Sequence, residues 1–258
     1  MTVEAPPHPT ARTAAPASAA FAPIQQLRAH EYVAEQIRRH IALRLICPGE
    51  SLPSERELAA IFGVGRETIQ HALRLLGEDG LLVARRGRGG GTFVSAPAGD
   101  TVAMEELMAR LLRRRAELEE LLVYRQTLEP AVASAAARAR RATDMDAIWA
   151  AIACMSEAAD EPDYMRHDTE FHLGVARASD NRFMLAAIED IRLRLNDAIS
   201  LLPESDTWHR RLSREHHAIA DAIERQDSAR AQEAMSAHVS ASDQSLRALL
   251  AAIGRRRR

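Results

Sequence analysis

With 258 residues, 47% apolar and 27% charged, the chain has the composition of a globular protein and the length for one large domain or two ordinary ones. No apolar run is long enough to cross a bilayer, and the N-terminus lacks the basic-then-apolar pattern of a secretory signal. Two distant cysteines, Cys47 and Cys154, exclude a disulfide framework or a zinc–thiolate site.

These features point to a reduced cytoplasm and to no membrane partner. The net charge of −2 is unevenly spread: residues 1–98 hold 11 arginines against 9 acids, residues 99–258 hold 23 against 27, and lysine is absent. Arginine favours bidentate contacts with phosphate and guanine, so the asymmetry is a weak pointer to nucleic acid.

Residues 1–22 are rich in Pro, Ala, Ser and Thr and are expected to be a disordered tail. A helical pattern begins at Ile24 and carries Leu27, Val33, Ile37, Ile41 and Leu45 until "CPGESLP" breaks it at 47–53. Ser54 followed by Glu57 is a capping box opening a second helix. Its apolar face is Leu58, Ile61 and Phe62, and Gly63 is its stop signal. A third helix follows over "VGRETIQHALRLLGEDG" (64–80), with Ile69, Ala72, Leu73 and Leu76 as its buried stripe. The period then changes in "LLVARRGRGGGTFV" (81–94), where two short apolar stretches flank a Gly/Arg tip and predict a β-hairpin.

Helix, helix, tight turn, helix and hairpin is the order of a winged helix-turn-helix, placed at residues 23–96. Its roles follow from position. Arg66, Glu67, Thr68 and Gln70 occupy the first turns of the recognition helix, where arginine can bind guanine and glutamine can bind adenine. Arg56, in the preceding helix, is placed to clamp a phosphate. Arg85, Arg86 and Arg88, with Gly90 among the wing glycines, form a basic tip suited to the backbone or minor groove. A lone Arg66 would be an ordinary surface charge; the whole run in order points to double-stranded operator DNA.

The segment from "AEQIRRHIALRL" through "PGESLPSERELAAIFGVGR" to "GRGGGTFV", about residues 24–96, resembles the DNA-binding domain of GntR-family bacterial transcription regulators. The resemblance implies DNA contacts at Arg56, Arg66, Thr68 and the wing glycines. Gly65 stands where the family usually has Ser or Thr, Gln70 where Arg is common, and the wing has an additional glycine. Operator sequence is therefore not transferable from relatives.

A linker is expected at 97–103. From 104 to 250 only helical patterns occur, broken near 142–145, 160–163, 179–181 and 203–207, so six or seven helices form an all-α domain. The chain as a whole is mainly α. "GRRRR" closes a basic tail over 251–258 that is expected to be frayed and solvated.

Asp168 and His172 stand four apart in "HDTEFH" and project from one helix face. Such a pair can bind a metal, catalyse a reaction or satisfy itself in a core. In "RRLSREHHAIADAIERQD" the stripe Leu212, Ile219 and Ile223 carries His216 inward, while His217 falls with polar residues. In "ARAQEAMSAHVSASDQSLRALL" His238 shares a face with Ala231, Met235, Ser242 and Leu249. One inward histidine alone is more often a satisfied core residue. Three of them with an aspartate on three helices make a coherent metal constellation, suited to zinc foremost and also to nickel, manganese or iron.

"YRQTLEPAVASAAA", "DTEFHLGVARASDN", "EHHAIADAIERQD" and "AMSAHV" are similar to segments of the FCD ligand-binding domain of FadR-like GntR regulators, a likeness covering about 101–250. In metal-containing members the ligands match Asp168, His172, His216 and His238. The resemblance also implies an effector contact at Arg125, to which Arg192 is added as a second anion contact. It implies a small carboxylate effector as well. The expectation is a homodimeric regulator, a repressor released from its operator by effector. Two alternatives are a metal-dependent hydrolase carrying a DNA-binding head and a regulator responding to the metal ion itself. The hydrolase lacks HExxH, GxSxG and a placed general base.

Overall fold

A computed structural model of the chain describes residues 28–87, 89–95, 101–158, 160–202 and 206–256. The predicted N-terminal tail and the start of the first helix at Ile24 lie outside them, as do Arg88 and most of the predicted linker. Helix α1 (Ala29–Ala42) is followed by α2 (Glu55–Phe62) and α3 (Arg66–Glu78), then strands β1 (Leu82–Arg85) and β2 (Gly91–Val94). Ser54 accepts from the Glu57 amide while the Glu57 carboxylate takes the Ser54 N–H at 2.8 Å, so the capping box forms. Gly63 ends α2 in the left-handed region at φ 64°, where a Cβ is disfavoured.

Val33, Ala34 and Ile37 of α1, Leu58 of α2, Ile69, Ala72 and Leu76 of α3, and Leu82 and Val94 of the hairpin form the first core. Burying Ile69 or Leu76 fully contributes roughly 1.5–3 kcal/mol each. The hairpin pairs Leu82 with Val94 and Arg85 with Gly91. The 47–53 segment, read from sequence only as a break, is more than that. Leu52 N–H donates to Thr92 O, Gly49 N–H to Val94 O and Val94 N–H to Glu50 O, which lays the segment along β2.

Seven helices follow: α4 (Thr101–Arg113), α5 (Arg115–Ala139), α6 (Ala142–Glu157), α7 (Glu161–Ala178), α8 (Arg182–Ile199), α9 (Asp206–Glu224) and α10 (Ser228–Arg256). Central α5 packs on α10, α7, α9 and α8, and α6 packs on α7. Three boundaries differ from the sequence expectation. Helix α4 starts at Thr101, inside the predicted linker, and a break at Arg114 separates it from α5. The C-terminal residues are not a frayed tail through Arg256: α10 continues, because Leu246, Leu250 and Ile253 prolong its buried stripe. No helix among the described residues is long and apolar enough to cross a membrane.

The two cores meet where α1 ends. Leu43 caps α1, Arg44 adopts a left-handed φ of 63°, and Leu45 packs on the helical-domain core. Arg39 pairs with Glu189 of α8 at 2.5 Å, Arg166 of α7 pairs with Glu50, and Cys47 Sγ lies 3.5 Å from Pro162 O.

Candidate functional site

Two sites emerge, one on each core. In the head, Gly65 is the N-cap of α3, so Arg66, Glu67 and Thr68 are its first three residues and Gln70 follows in the second turn. Arg66 is 67% exposed, Gln70 and Arg56 are exposed, and the apolar face of α3 is turned into the core. Glu55 organises this surface: it accepts from Gln70 Nε2 at 2.8 Å and stands 3.8 Å from Arg66. Gln70 thus rests against Glu55 through one of the two protons of its amide nitrogen.

On the wing, Arg86 and Gly90 are exposed, while the Arg85 guanidinium lies 4.5 Å from the centre of the Phe93 ring. Gly90 N–H closes the tip on Gly87 O at 2.8 Å. A Cβ at Gly90 would fall 2.5 Å from the Arg85 carbonyl oxygen, so the tip accepts only glycine there.

The second site lies inside the helical domain. His172 of α7, His216 of α9 and His238 of α10 are at most 2% exposed and bring ligand nitrogens within 4.8 Å of one another. His217 is exposed, as the helical phase of α9 requires. Asp168 stands at the edge of this trio. Its Oδ1 is 3.4 Å from His216 Nε2 and 3.9 Å from His172 Nε2, whereas its Oδ2 accepts from Arg192 at 2.6 Å. The mutually close set is therefore the three imidazoles, with the aspartate shared between them and Arg192.

Carboxylates stand behind two of the rings. Glu129 Oε2 of α5 is 2.6 Å from His172 Nδ1, a close contact off the line of a hydrogen bond. Glu215 Oε2 is 3.0 Å from His238 Nδ1. Both leave Nε2 toward the centre. Glu129 is itself held by Arg125, whose Nε donates at 2.6 Å. Arg125 Nη1 also reaches Asp243 at 2.9 Å and Ser242 at 2.8 Å. Arg125 thus lies one layer behind His172, engaged by side chains of α5 and α10.

Burial sets the protonation of this centre. It lowers the pKa values of His172, His216 and His238, against the pull of Glu129, Asp168 and Glu215 respectively, so the rings are neutral at pH 7. Burial pushes Asp168 and Glu129 up. The Arg192 guanidinium overcomes it at Asp168, and Arg125 does so at Glu129. Both carboxylates are held below their ordinary range. Neutral imidazoles beside ionised carboxylates are the protonation states a divalent cation requires. The nitrogens of His172 and His216 that face the centre are buried without a hydrogen-bond partner, so the donor set fits a metal.

A cavity of about 430 Å³ opens between α6, α7 and α9 and reaches His216; Ile152, Met155, Tyr164, Arg210 and Ser213 line it. Arg192 is fully buried, and its Nε and Nη1 have no hydrogen-bond partner. Glu129, Glu215 and Glu55 were not reached from sequence. Glu129 had a readable signal, since it follows Arg125 by four residues on one helix. Glu215 had none, because it serves a histidine on another helix.

Comparison with known proteins agrees with both halves. Residues 29–94 match the family described as bacterial regulatory proteins, gntR family, and residues 120–241 match the FCD domain. The chain is 30% identical over 230 residues to the HTH-type transcriptional repressor NanR of Cronobacter sakazakii, covering 84% of this chain and 85% of that one. It is 31% identical over 198 residues to the HTH-type transcriptional regulator LutR of Bacillus subtilis, covering 74% and 89%. It is 30% identical over 225 residues to the putative L-lactate dehydrogenase operon regulatory protein of Escherichia coli K12, covering 83% and 84%. The exposed recognition helix and wing, joined to a helical domain of this type, make the chain a DNA-binding transcriptional regulator, not an enzyme: it belongs to the GntR family and carries a C-terminal FCD domain.

Proposed function

We propose that this regulator is a cytoplasmic homodimeric repressor whose hold on its operator is set by a small carboxylate bound at a metal centre in the helical domain. The observation that carries the reading is the trio His172, His216 and His238: buried, neutral, within 4.8 Å, and backed at His172 and His238 by carboxylates. Asp168 is assigned as the fourth ligand. Three imidazoles and one carboxylate suit zinc best, with nickel, manganese and iron compatible. The bound cation would supply a Lewis-acidic position for a carboxylate oxygen.

The chain's own residues do the rest. Glu129 and Glu215 orient His172 and His238. The cavity beside His216 admits the body of the effector. Arg192 offers its unpartnered Nε and Nη1 to an anionic group, whereas Arg125 can meet one only by giving up Glu129 or Asp243. A hydroxy acid such as lactate fits this chemistry, and one relative is named for an L-lactate dehydrogenase operon. In the head, Arg56, Arg66, Glu67, Thr68, Gln70, Arg86, Arg88 and Gly90 are assigned to DNA. Two heads would meet half-sites about one helical turn apart.

Thermal-shift screening of organic acids against zinc-loaded protein tests the reading, because a specific ligand stabilises by mass action. The expected hit raises the Tm of the parent and releases it from operator DNA. The double variant His172→Ala with His216→Ala should keep operator affinity and lose both responses. An effector response surviving in that variant would overturn the metal-centred mechanism.

A further inference from the structure

Four buried hydrogen bonds join the histidine centre to the DNA-binding head, and they run along α8. Arg192 Nη2 donates to Asp168 Oδ2 at 2.6 Å and to Thr169 Oγ1 at 3.1 Å. One helical turn later, Asn196 Nδ2 donates to the same Thr169 oxygen at 3.2 Å and to the carbonyl of Leu43 at 3.2 Å. Thr169 spends its own proton on Met165 O at 2.9 Å, so its hydroxyl is saturated with one bond given and two received. The two protons of Asn196 Nδ2 are likewise both used. Arg192, Thr169 and Asn196 are each at most 1% exposed. In such surroundings a donor cannot exchange its partner for water, so moving one group obliges the next to move or to lose its bond.

The far end of this chain is mechanically apt. Leu43 is the C-cap of α1, and its carbonyl immediately precedes Arg44, which holds a left-handed φ of 63°. Such a residue sits in a sparsely populated conformation that its surroundings must maintain. The surroundings here are again α8: Arg44 Nη2 donates to Ser200 Oγ at 3.2 Å and stands 3.9 Å from Asp197. Arg39, one turn earlier on α1, pairs with Glu189 of α8. One rigid helix therefore grips the Asp168 carboxylate with Arg192 and the α1 corner with Glu189, Asn196, Asp197 and Ser200.

We infer that Asn196 is the positioning residue through which the histidine centre sets the orientation of the DNA-binding head. This rests on the metal-centred reading above and adds its route. When Asp168 turns toward a cation, its hold on Arg192 changes. Arg192 and Asn196 share Thr169, so the change reaches the Leu43 carbonyl and the corner that aims α1 and, through their common core, α3. Asn196 touches neither metal nor DNA, and its effect is confined to the coupling between them.

Hydrogen exchange on the full-length protein, with and without zinc alone, tests this, and calorimetry reports zinc binding separately. In the parent, zinc should slow exchange of amides in residues 39–47 by about fivefold or more, the low end of ordinary coupling energies. Asn196→Leu should bind zinc with unchanged affinity and show no zinc-dependent protection in that segment. Thr169→Val keeps the Asn196 bond to Leu43 while removing the shared hydroxyl. It should give the same loss, and it decides the matter if Asn196→Leu does not fold. A parent that binds zinc without any change at 39–47, or variants whose segment responds as the parent does, would overturn the inference. A parent that binds no zinc would instead strike the metal-centred reading on which it rests.

Discussion

The substitution Glu129→Gln isolates what the second carboxylate does for the centre. Glu129 Oε1 accepts from Arg125 Nε, and its Oε2 sets a carboxylate oxygen beside His172 Nδ1, each at 2.6 Å. An amide of the same shape has one acceptor end and one donor end. If the nitrogen end faces His172, the ring must move its proton from Nδ1 to Nε2, the position a metal needs free. If it faces Arg125, two donors meet, and the guanidinium falls back on Asp243 and Ser242. Either arrangement forfeits one interaction of a carboxylate oxygen, with Arg125 or with the His172 ring, on the scale of roughly 1.5–3 kcal/mol for a hydrogen bond to a charged group. That agrees with the ~10–100-fold loss of metal affinity usual for such outer partners, which is about 1.4–2.7 kcal/mol. Competition for zinc against a chromophoric chelator near neutral pH measures it, with denaturant unfolding of the metal-free protein as the control for fold. Unaltered zinc affinity in a folded Glu129→Gln protein would refute the argument that Glu129 fixes the tautomer of His172.

The same reasoning gives four shorter expectations. Asp168→Asn leaves Arg192 fully buried without its counter-charge, so the chelator-treated protein should lose about 3–5 kcal/mol in urea unfolding; equal stability would mean that Arg192 finds another partner. Arg66→Ala should weaken operator binding by ~1–3 kcal/mol in fluorescence anisotropy if it reads a base edge, and an unchanged Kd would make it a bystander. Gly90→Ala forces the wing tip away from the Arg85 carbonyl and should lower operator affinity while leaving zinc binding intact; full DNA affinity would show that the tip does not touch the duplex. Burial raises the pKa of Glu50, but hydrogen bonds from Arg166 and the Cys47 N–H outweigh it and leave the net value lowered. The contribution of Glu50 to holding head and helical domain together is therefore complete above the ordinary 4.5 and is lost as pH falls through the depressed value. Protection of the amides at residues 49–52, relative to their intrinsic exchange rates, should fall in that acid window, and in Glu50→Gln it should be already low and flat.

How much of this was legible depended on whether a residue's partner lay on its own element. Ser54, Glu57 and Gly63 declare α2 because a capping box and a left-handed stop are local chemistry. The inward His216 and outward His217 follow from the phase of one helix, and so does His238. Partnerships between helices were not legible in this way. Glu215 adjoins His216 in sequence, yet its carboxylate serves His238, 23 positions away on α10. The run of arginines at the C-terminus masked an apolar stripe, Leu246, Leu250 and Ile253, whose spacing already continued the helix. Composition misled there because arginine stems and charged heads tolerate a helix end as readily as a coil.

Helix α8 had a readable anomaly that no motif marks. Arg192 and Asn196, followed by the C-cap Ser200, recur every four residues beside the apolar Ile188, Ile191, Leu195 and Ala198, which places a polar stripe on the inward face of the helix. A buried guanidinium and a buried amide are costly unless something on another element meets them, so such a stripe implies polar partners on whatever packs against it. The partners here are Asp168 and Thr169 on one side and the backbone at Leu43 on the other. An all-apolar α8 would pack the helical domain at least as firmly. What the polar version adds is a fixed register between the histidine centre and the corner carrying the DNA-binding head. A regulator needs that register, and a purely structural bundle does not.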